Sequence, residues 1–130
     1  MAILGIGIDV VEVSRMDRAL ADPVTGERFR IRVFTEGERE YCRQRAGRAE
    51  SFAGRFAAKE AVMKALGSGA PWGFAWQDIE VVREPSGFPS VVLRGRALKR
   101  ARAMGAGRIH LSISHAAGIA VAEAVAERES

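Results

Sequence analysis

The chain has 130 residues, 48% hydrophobic and 28% charged, with a formal net charge of +4. Those figures suit one soluble globular domain spanning residues 1–130 and exclude collagen-like, low-complexity and disulfide-stapled chains. The one cysteine, Cys42, cannot form an intrachain disulfide, and no apolar run is long enough to span a bilayer, so a cytoplasmic protein is expected.

Seventeen of the twenty basic residues are arginine; the three lysines are Lys59, Lys64 and Lys99. Residues 28–48 hold seven Arg against three Glu, and residues 90–110 hold six basic residues and no acid. Such patches suit an acidic partner or a phosphorylated ligand, and arginine favours bidentate contacts to phosphate or carboxylate.

The chain opens on a predicted strand over 2–8, with Leu4, Ile6 and Ile8 on one face and Gly5, Gly7 and Asp9 on the other. It lacks a basic leader and meets Asp9 too early for a signal peptide. Two glycines sharing a face clear room for another backbone or a ligand. Asp9 stands beside that clearing, either as a cap for the next helix or as a functional carboxylate. A helix is predicted from Val10 to about Leu20, with Glu12, Arg15 and Arg18 close together on its polar face. Residues 21–28 read as a loop punctuated by Pro23 and Gly26. Thr35 and Glu38 have capping-box spacing, which predicts a helix from Glu36 to about Arg45.

After a short break at 46–49, residues 51–66 read as the central helix, with Gly67 as its stop. Phe52, Phe56, Met63 and Leu66 form its apolar stripe. Lys59 falls inside that stripe and Glu60 at its edge, with Arg55 on the opposite shoulder. A buried charge without a partner costs several kcal/mol, so these groups must be paired, metal-bound or facing a cleft. Lys64 lies one turn beyond Glu60; taken alone, they make an i,i+4 pair worth about 0.2–0.5 kcal/mol.

Residues 67–76 form a glycine-rich loop in which Trp72, Phe74 and Trp76 serve as anchors. Strands at 78–84 and 90–94, joined through Pro85 and Pro89, predict an antiparallel hairpin. Next comes an amphipathic helix with Ala97, Leu98, Ala101 and Met104 inward, closed by Gly105 and Gly107. Residues 108–115 alternate, Ile109, Leu111 and Ile113 against His110, Ser112 and Ser114, and a last strand runs from Ile119 to about Ala126. The order β-α-α-α-β-β-α-β-β argues for an α+β fold: an antiparallel sheet against a long central helix and shorter helices.

Three separated segments carry groups that could converge: Asp9, the Lys59–Glu60–Lys64 run, and Ser114-His115. Two carboxylates and a few waters are the usual protein share of a Mg²⁺ site that also binds phosphates. Lysines and a glycine-rich loop would hold the remaining phosphate oxygens. The histidines and cysteine are too few for a zinc site, and no Walker-type loop stands out.

At these residues the chain resembles the holo-[acyl-carrier-protein] synthases, the small bacterial class of 4′-phosphopantetheinyl transferases. The resemblance rests on Gly5-Ile-Gly-Ile-Asp-Val-Val-Glu12 with Arg15, on Arg55-Phe-Ala-Ala-Lys-Glu-Ala-Val-Met-Lys-Ala-Leu-Gly67, on Asp78-Ile-Glu-Val81 and on Ile113-Ser-His115. It implies transfer of phosphopantetheine from coenzyme A to a serine of apo acyl carrier protein, with Mg²⁺, releasing adenosine 3′,5′-bisphosphate. Asp9 and Glu60 match the family's metal-binding carboxylates, and Glu60 or a metal-bound water would take the serine proton. Lys64 matches a phosphate-binding lysine; Arg55, Lys59, Lys64, Gly67 and His115 match coenzyme A contacts. Arg43, Arg45 and Arg48 are candidates for the 3′-phosphate. Arg15, Arg18 and Arg28 match carrier-protein contacts. The family implies a homotrimer with active sites between subunits, and neither nucleic acid nor membrane as a partner. The rival from another class is a basic nucleic-acid-binding module built on the 28–48 and 94–108 regions, which leaves Asp9 and Glu60 unexplained.

Overall fold

The computed structural model describes residues 2–67 and 73–129, so residues 68–72 of the glycine-rich loop, Trp72 among them, lie outside the described residues. Strand β1 runs Ile3–Glu12, longer than its sequence suggests. Val10 and Val11, expected to open a helix, stay extended because they pair with Val121 and Ala120 of the last strand. Asp9 therefore lies within the ladder, opposite Ala122, and does not cap the helix that follows.

Helices α1 (Val13–Ala21), α2 (Gly26–Val33) and α3 (Glu36–Arg43) come next. Helix α2 replaces what reads as the end of a loop. Its turn is set by Asp22, whose carboxylate accepts from the N–H groups of Val24 and Thr25 at 2.8 and 2.9 Å. The expected capping box opens α3: Thr35 Oγ1 accepts from Glu38 N, and Glu38 Oε1 from Thr35 N at 2.8 Å.

The central helix α4 spans Arg48–Ala65, starting a turn earlier than expected. A single 3₁₀ turn at Trp76–Asp78 leads into β2 (Ile79–Arg83) and β3 (Pro89–Leu93). Helix α5 (Gly95–Met104), β4 (Ala106–Ala116) and β5 (Ile119–Arg128) complete the described chain. The fold is α+β and its sheets are antiparallel, and the described residues form two: β1-β5-β4, and the separate hairpin β2-β3. No described helix is long and apolar enough to cross a membrane.

Small residues bring α4 onto the three-stranded sheet. A Cβ on Gly5 or Gly7 would lie 1.9 Å from the carbonyl oxygen of Ala65 or Ala61, so only glycine permits this approach. Ala122, Ala124 and Ala126 of β5 share one buried cluster with Ala57, Ala58, Ala61 and Ala65 of α4, and Ala120 joins Phe52 and Ala53 in a second. Around the start of α4, Phe34 and Phe52 pack edge to face at 4.8 Å, worth about 0.5–1.5 kcal/mol beyond the area they bury. The opposite face of β1 is open: Ile6, Ile8 and Val10 are each more than half exposed.

Candidate functional site

Helix α4 delivers functional groups in two directions. Toward β1 and α1 it carries Glu60, which lines a cleft of about 450 Å³ with Asp9, Glu12, Arg15, Met16, Phe29 and Phe56. Because Gly5 and Gly7 let the helix sit on β1, the carboxylates of Asp9 and Glu60 come into hydrogen-bonding contact. Burial, then the Asp9 charge, raise the Glu60 pKa above the ordinary glutamate range, against the opposing pull of Lys64. Lys64 does not close an i,i+4 bridge to Glu60. It crosses to β1, donating to Asp9 Oδ1 at 3.2 Å and to the Ile8 carbonyl at 2.9 Å.

This donor set fits a hard divalent cation. Two adjacent carboxylates, one with a pKa raised by burial and then by its neighbour's negative charge, are what a cation would relieve. Its remaining coordination would fall to water and phosphate.

Away from that cleft, α4 carries Arg55 into a second one, of about 490 Å³, lined by Tyr41, Arg45, Glu50, Arg55, Arg83 and His115 among others. The Arg55 guanidinium lies over the Tyr41 ring at 3.9 Å, and those of Arg45 and Arg83 lie 5.2 and 5.7 Å from the same ring. Arg55 is only 4% exposed, and its buried Nε has no hydrogen-bond partner among the described residues. His115 is fixed by a 2.9 Å bond from its Nε2 to the Glu50 carbonyl, in space that Gly54 leaves free. Three arginines beside an unfilled N–H donor make a receptor for a phosphate.

The chain belongs to the 4′-phosphopantetheinyl transferase superfamily. That family matches residues 5–120, which takes in Asp9, Glu60, Lys64, Arg55 and His115. The chain is 52% identical, over 96% of both chains, to a holo-[acyl-carrier-protein] synthase of Anaeromyxobacter sp. (strain K). It is similar to the crystal structure of the Neisseria meningitidis holo-[acyl-carrier-protein] synthase, with a TM-score of 0.87 and 31% identity, covering 98% of this chain and 100% of that one. It is also similar to the Helicobacter pylori holo-[acyl-carrier-protein] synthase in complex with coenzyme A, at a TM-score of 0.80 and 30% identity, covering 94% and 99% of the two chains.

Asp9 and Glu60 line one cleft with Arg15, Lys64 reaches Asp9 from outside that lining, and Arg55 and His115 share the other cleft. Lys59 reaches neither. It is fully buried, donating to Glu38 Oε1 at 2.8 Å and to the carbonyls of Trp76 and Ile79. As a coenzyme A contact Lys59 is therefore corrected: its three donors are used inside the protein. Gly67 takes a φ of 93° directly after α4, the stop expected of it. Arg18 and Arg28 are exposed on α1 and α2 without an ion pair among the described residues. Of the three candidate phosphate arginines, Arg45 lines the second cleft, while Arg43 and Arg48 line a different cavity. Arg83 and Tyr41 carry no motif. Their signal was positional, an arginine ending a strand and an aromatic one turn beyond a capping box.

Proposed function

We propose that this protein transfers the 4′-phosphopantetheine group of coenzyme A to a serine of apo acyl carrier protein, releasing adenosine 3′,5′-bisphosphate. The observation that carries this reading is the junction of Asp9, Glu60 and Lys64 beneath Arg15, in a chain also bearing an arginine cleft of phosphate-binding character. The serine oxygen attacks the phosphorus on the pantetheine side of the diphosphate, the P–O bond to the adenosine half breaks, and the serine proton passes to Glu60. Burial and the Asp9 charge raise the pKa of that carboxylate, the direction that favours accepting a proton. Lys64 is placed to neutralise charge on the diphosphate. Asp9 and Glu60 would hold Mg²⁺, which when bound supplies charge neutralisation at the phosphates.

Arg55, Arg45, Arg83 and His115 take the adenosine end with its 3′-phosphate. The two clefts share no lining residue, and the β1 face exposes Ile6, Ile8 and Val10. Both features support the homotrimer reading, with one coenzyme A held between the carboxylate cleft of one copy and the arginine cleft of its neighbour. Arg15, with Arg18 and Arg28, forms the face for the acidic carrier. A buried free thiol at Cys42 is consistent with a cytoplasmic setting in carrier-protein-dependent fatty acid biosynthesis.

The test is a mass measurement of apo carrier protein incubated with coenzyme A, Mg²⁺ and this protein. A carrier heavier by one phosphopantetheine, with equimolar adenosine bisphosphate released, is expected. An unmodified carrier sinks the reading.

A further inference from the structure

Helices α1 to α4 enclose a third cavity, of about 630 Å³, that the transfer reaction does not use. It shares no lining residue with the carboxylate cleft or with the arginine cleft. Position along α1 separates it from the carboxylates: Arg15, Met16 and Ala19 turn toward Asp9 and Glu60, whereas Asp17, Leu20 and Ala21 line the third cavity.

Its wall is divided by chemistry. Arg30, Arg39, Arg43 and Arg48 stand against Asp17 and Glu27, four positive charges less two negative, a surplus of two. Apolar contact comes from Leu20, Ile31, Ala49 and Phe52; Phe52 is buried, while Ile31 is 50% exposed beside the guanidiniums. Two of the arginines are held in place by backbone. Arg39 donates to the carbonyls of Phe34 at 2.6 Å and Ile31 at 3.5 Å, and Arg30 to that of Leu20 at 3.2 Å. Each of these bonds engages one terminal nitrogen and leaves other N–H donors of the fork open. Arg43 pairs with Glu40 at the surface, and Arg48, the first residue of α4, forms no ion pair among the described residues. Pre-placed guanidiniums on one side and an exposed aliphatic wall on the other suit a ligand that is anionic at one end and apolar along its length.

We propose that this cavity is a second ligand site, for a single-chain amphiphile with a phosphate or carboxylate head. The head lies among Arg39, Arg43 and Arg48, and the chain lies along Leu20, Ile31 and Phe52. Helices α1 and α2 both wall the site, so a bound amphiphile braces the pair that carries Arg15 and Arg28.

The test is calorimetric titration of the full chain with octyl phosphate, octanoate and inorganic phosphate, with and without saturating coenzyme A. Saturable octyl phosphate binding that survives coenzyme A, and that falls roughly tenfold or more in Arg43→Glu, is expected. Arg43 is exposed, so that variant keeps the fold; Ile31→Asp, also at an exposed position, should weaken binding independently. Octyl phosphate against octanoate separates a phosphate from a carboxylate head. Competition by coenzyme A, unchanged affinity in both variants, no saturable binding, or inorganic phosphate binding as tightly as octyl phosphate would each overturn the proposal.

Discussion

Lys59 Nζ and Glu38 Oε1 meet at 2.8 Å with neither side chain exposed, tying α4 to α3 in the interior. Glu38 Oε2 also accepts from the N–H of Val81, and Lys59 donates to the carbonyls of Trp76 and Ile79, so the pair also grips the 3₁₀ turn and β2. Burial pulls the Lys59 pKa below the ordinary lysine value, against the opposing effect of Glu38. Lys59→Met leaves the carboxylate buried without its cation and should destabilise the fold by about 3–5 kcal/mol. Lys59→Met with Glu38→Gln should recover part of that loss, because no lone charge remains. Urea unfolding measures both; a single variant within 1 kcal/mol of wild type, by about the error of such methods, would show the pair to be dispensable.

The carboxylate pair has a kinetic signature. Asp9→Asn and Glu60→Gln should each lower turnover by roughly 10²–10³-fold while the unfolding midpoint stays near that of wild type. Full activity of Glu60→Gln at saturating Mg²⁺ would remove Glu60 from the site.

At the other cleft, Arg55 should discriminate coenzyme A from its dephospho form. Its guanidinium lies over Tyr41 and carries an unfilled Nε donor. Lysine offers neither planarity nor a second nitrogen, so Arg55→Lys should behave almost like Arg55→Ala. Tyr41→Phe keeps the ring and should be silent, whereas Tyr41→Leu should weaken binding. Calorimetry with both ligands reads the result; equal loss for the two would detach Arg55 from the 3′-phosphate.

Carrier docking should depend on Arg15, which rims the cleft holding Asp9 and Glu60. Rim charges act mainly on association rate and its salt dependence. Arg15→Glu should raise KM for carrier protein, flatten its response to ionic strength and leave coenzyme A affinity unchanged. Unaltered carrier kinetics would place docking elsewhere.

Cys42 gives a pH prediction. Burial pushes its thiol from 9.0 up to about 11. A raised folded-state pKa means stability that is present below the unfolded value and lost as pH climbs toward the folded one. The wild type should therefore lose stability between pH 9 and 11 relative to Cys42→Ala. Native protein should also resist alkylation at pH 8, with Cys42 reacting on unfolding. Rapid alkylation of the native state would contradict this burial.

Local signals were legible in the residues. The Thr35–Glu38 capping box, the Gly67 stop and the alternation from Ile109 to Ile113 all act within a turn or a strand, and the fold obeys each. Glycines sharing a face with Asp9 signalled a close approach by a backbone or a ligand, and the fold makes it the backbone of α4. Partnership across the chain was not legible. Lys59 had to be paired or face a cleft, but only the packing of α3 on α4 supplies Glu38 as its partner. Val10 and Val11 stay extended because β5 offers them a ladder, and Arg83 joins Arg55 only because β2 runs past α4. Propensity and capping are properties of neighbouring residues; a buried charge or a ladder bond is settled by which distant backbone the packed core brings alongside.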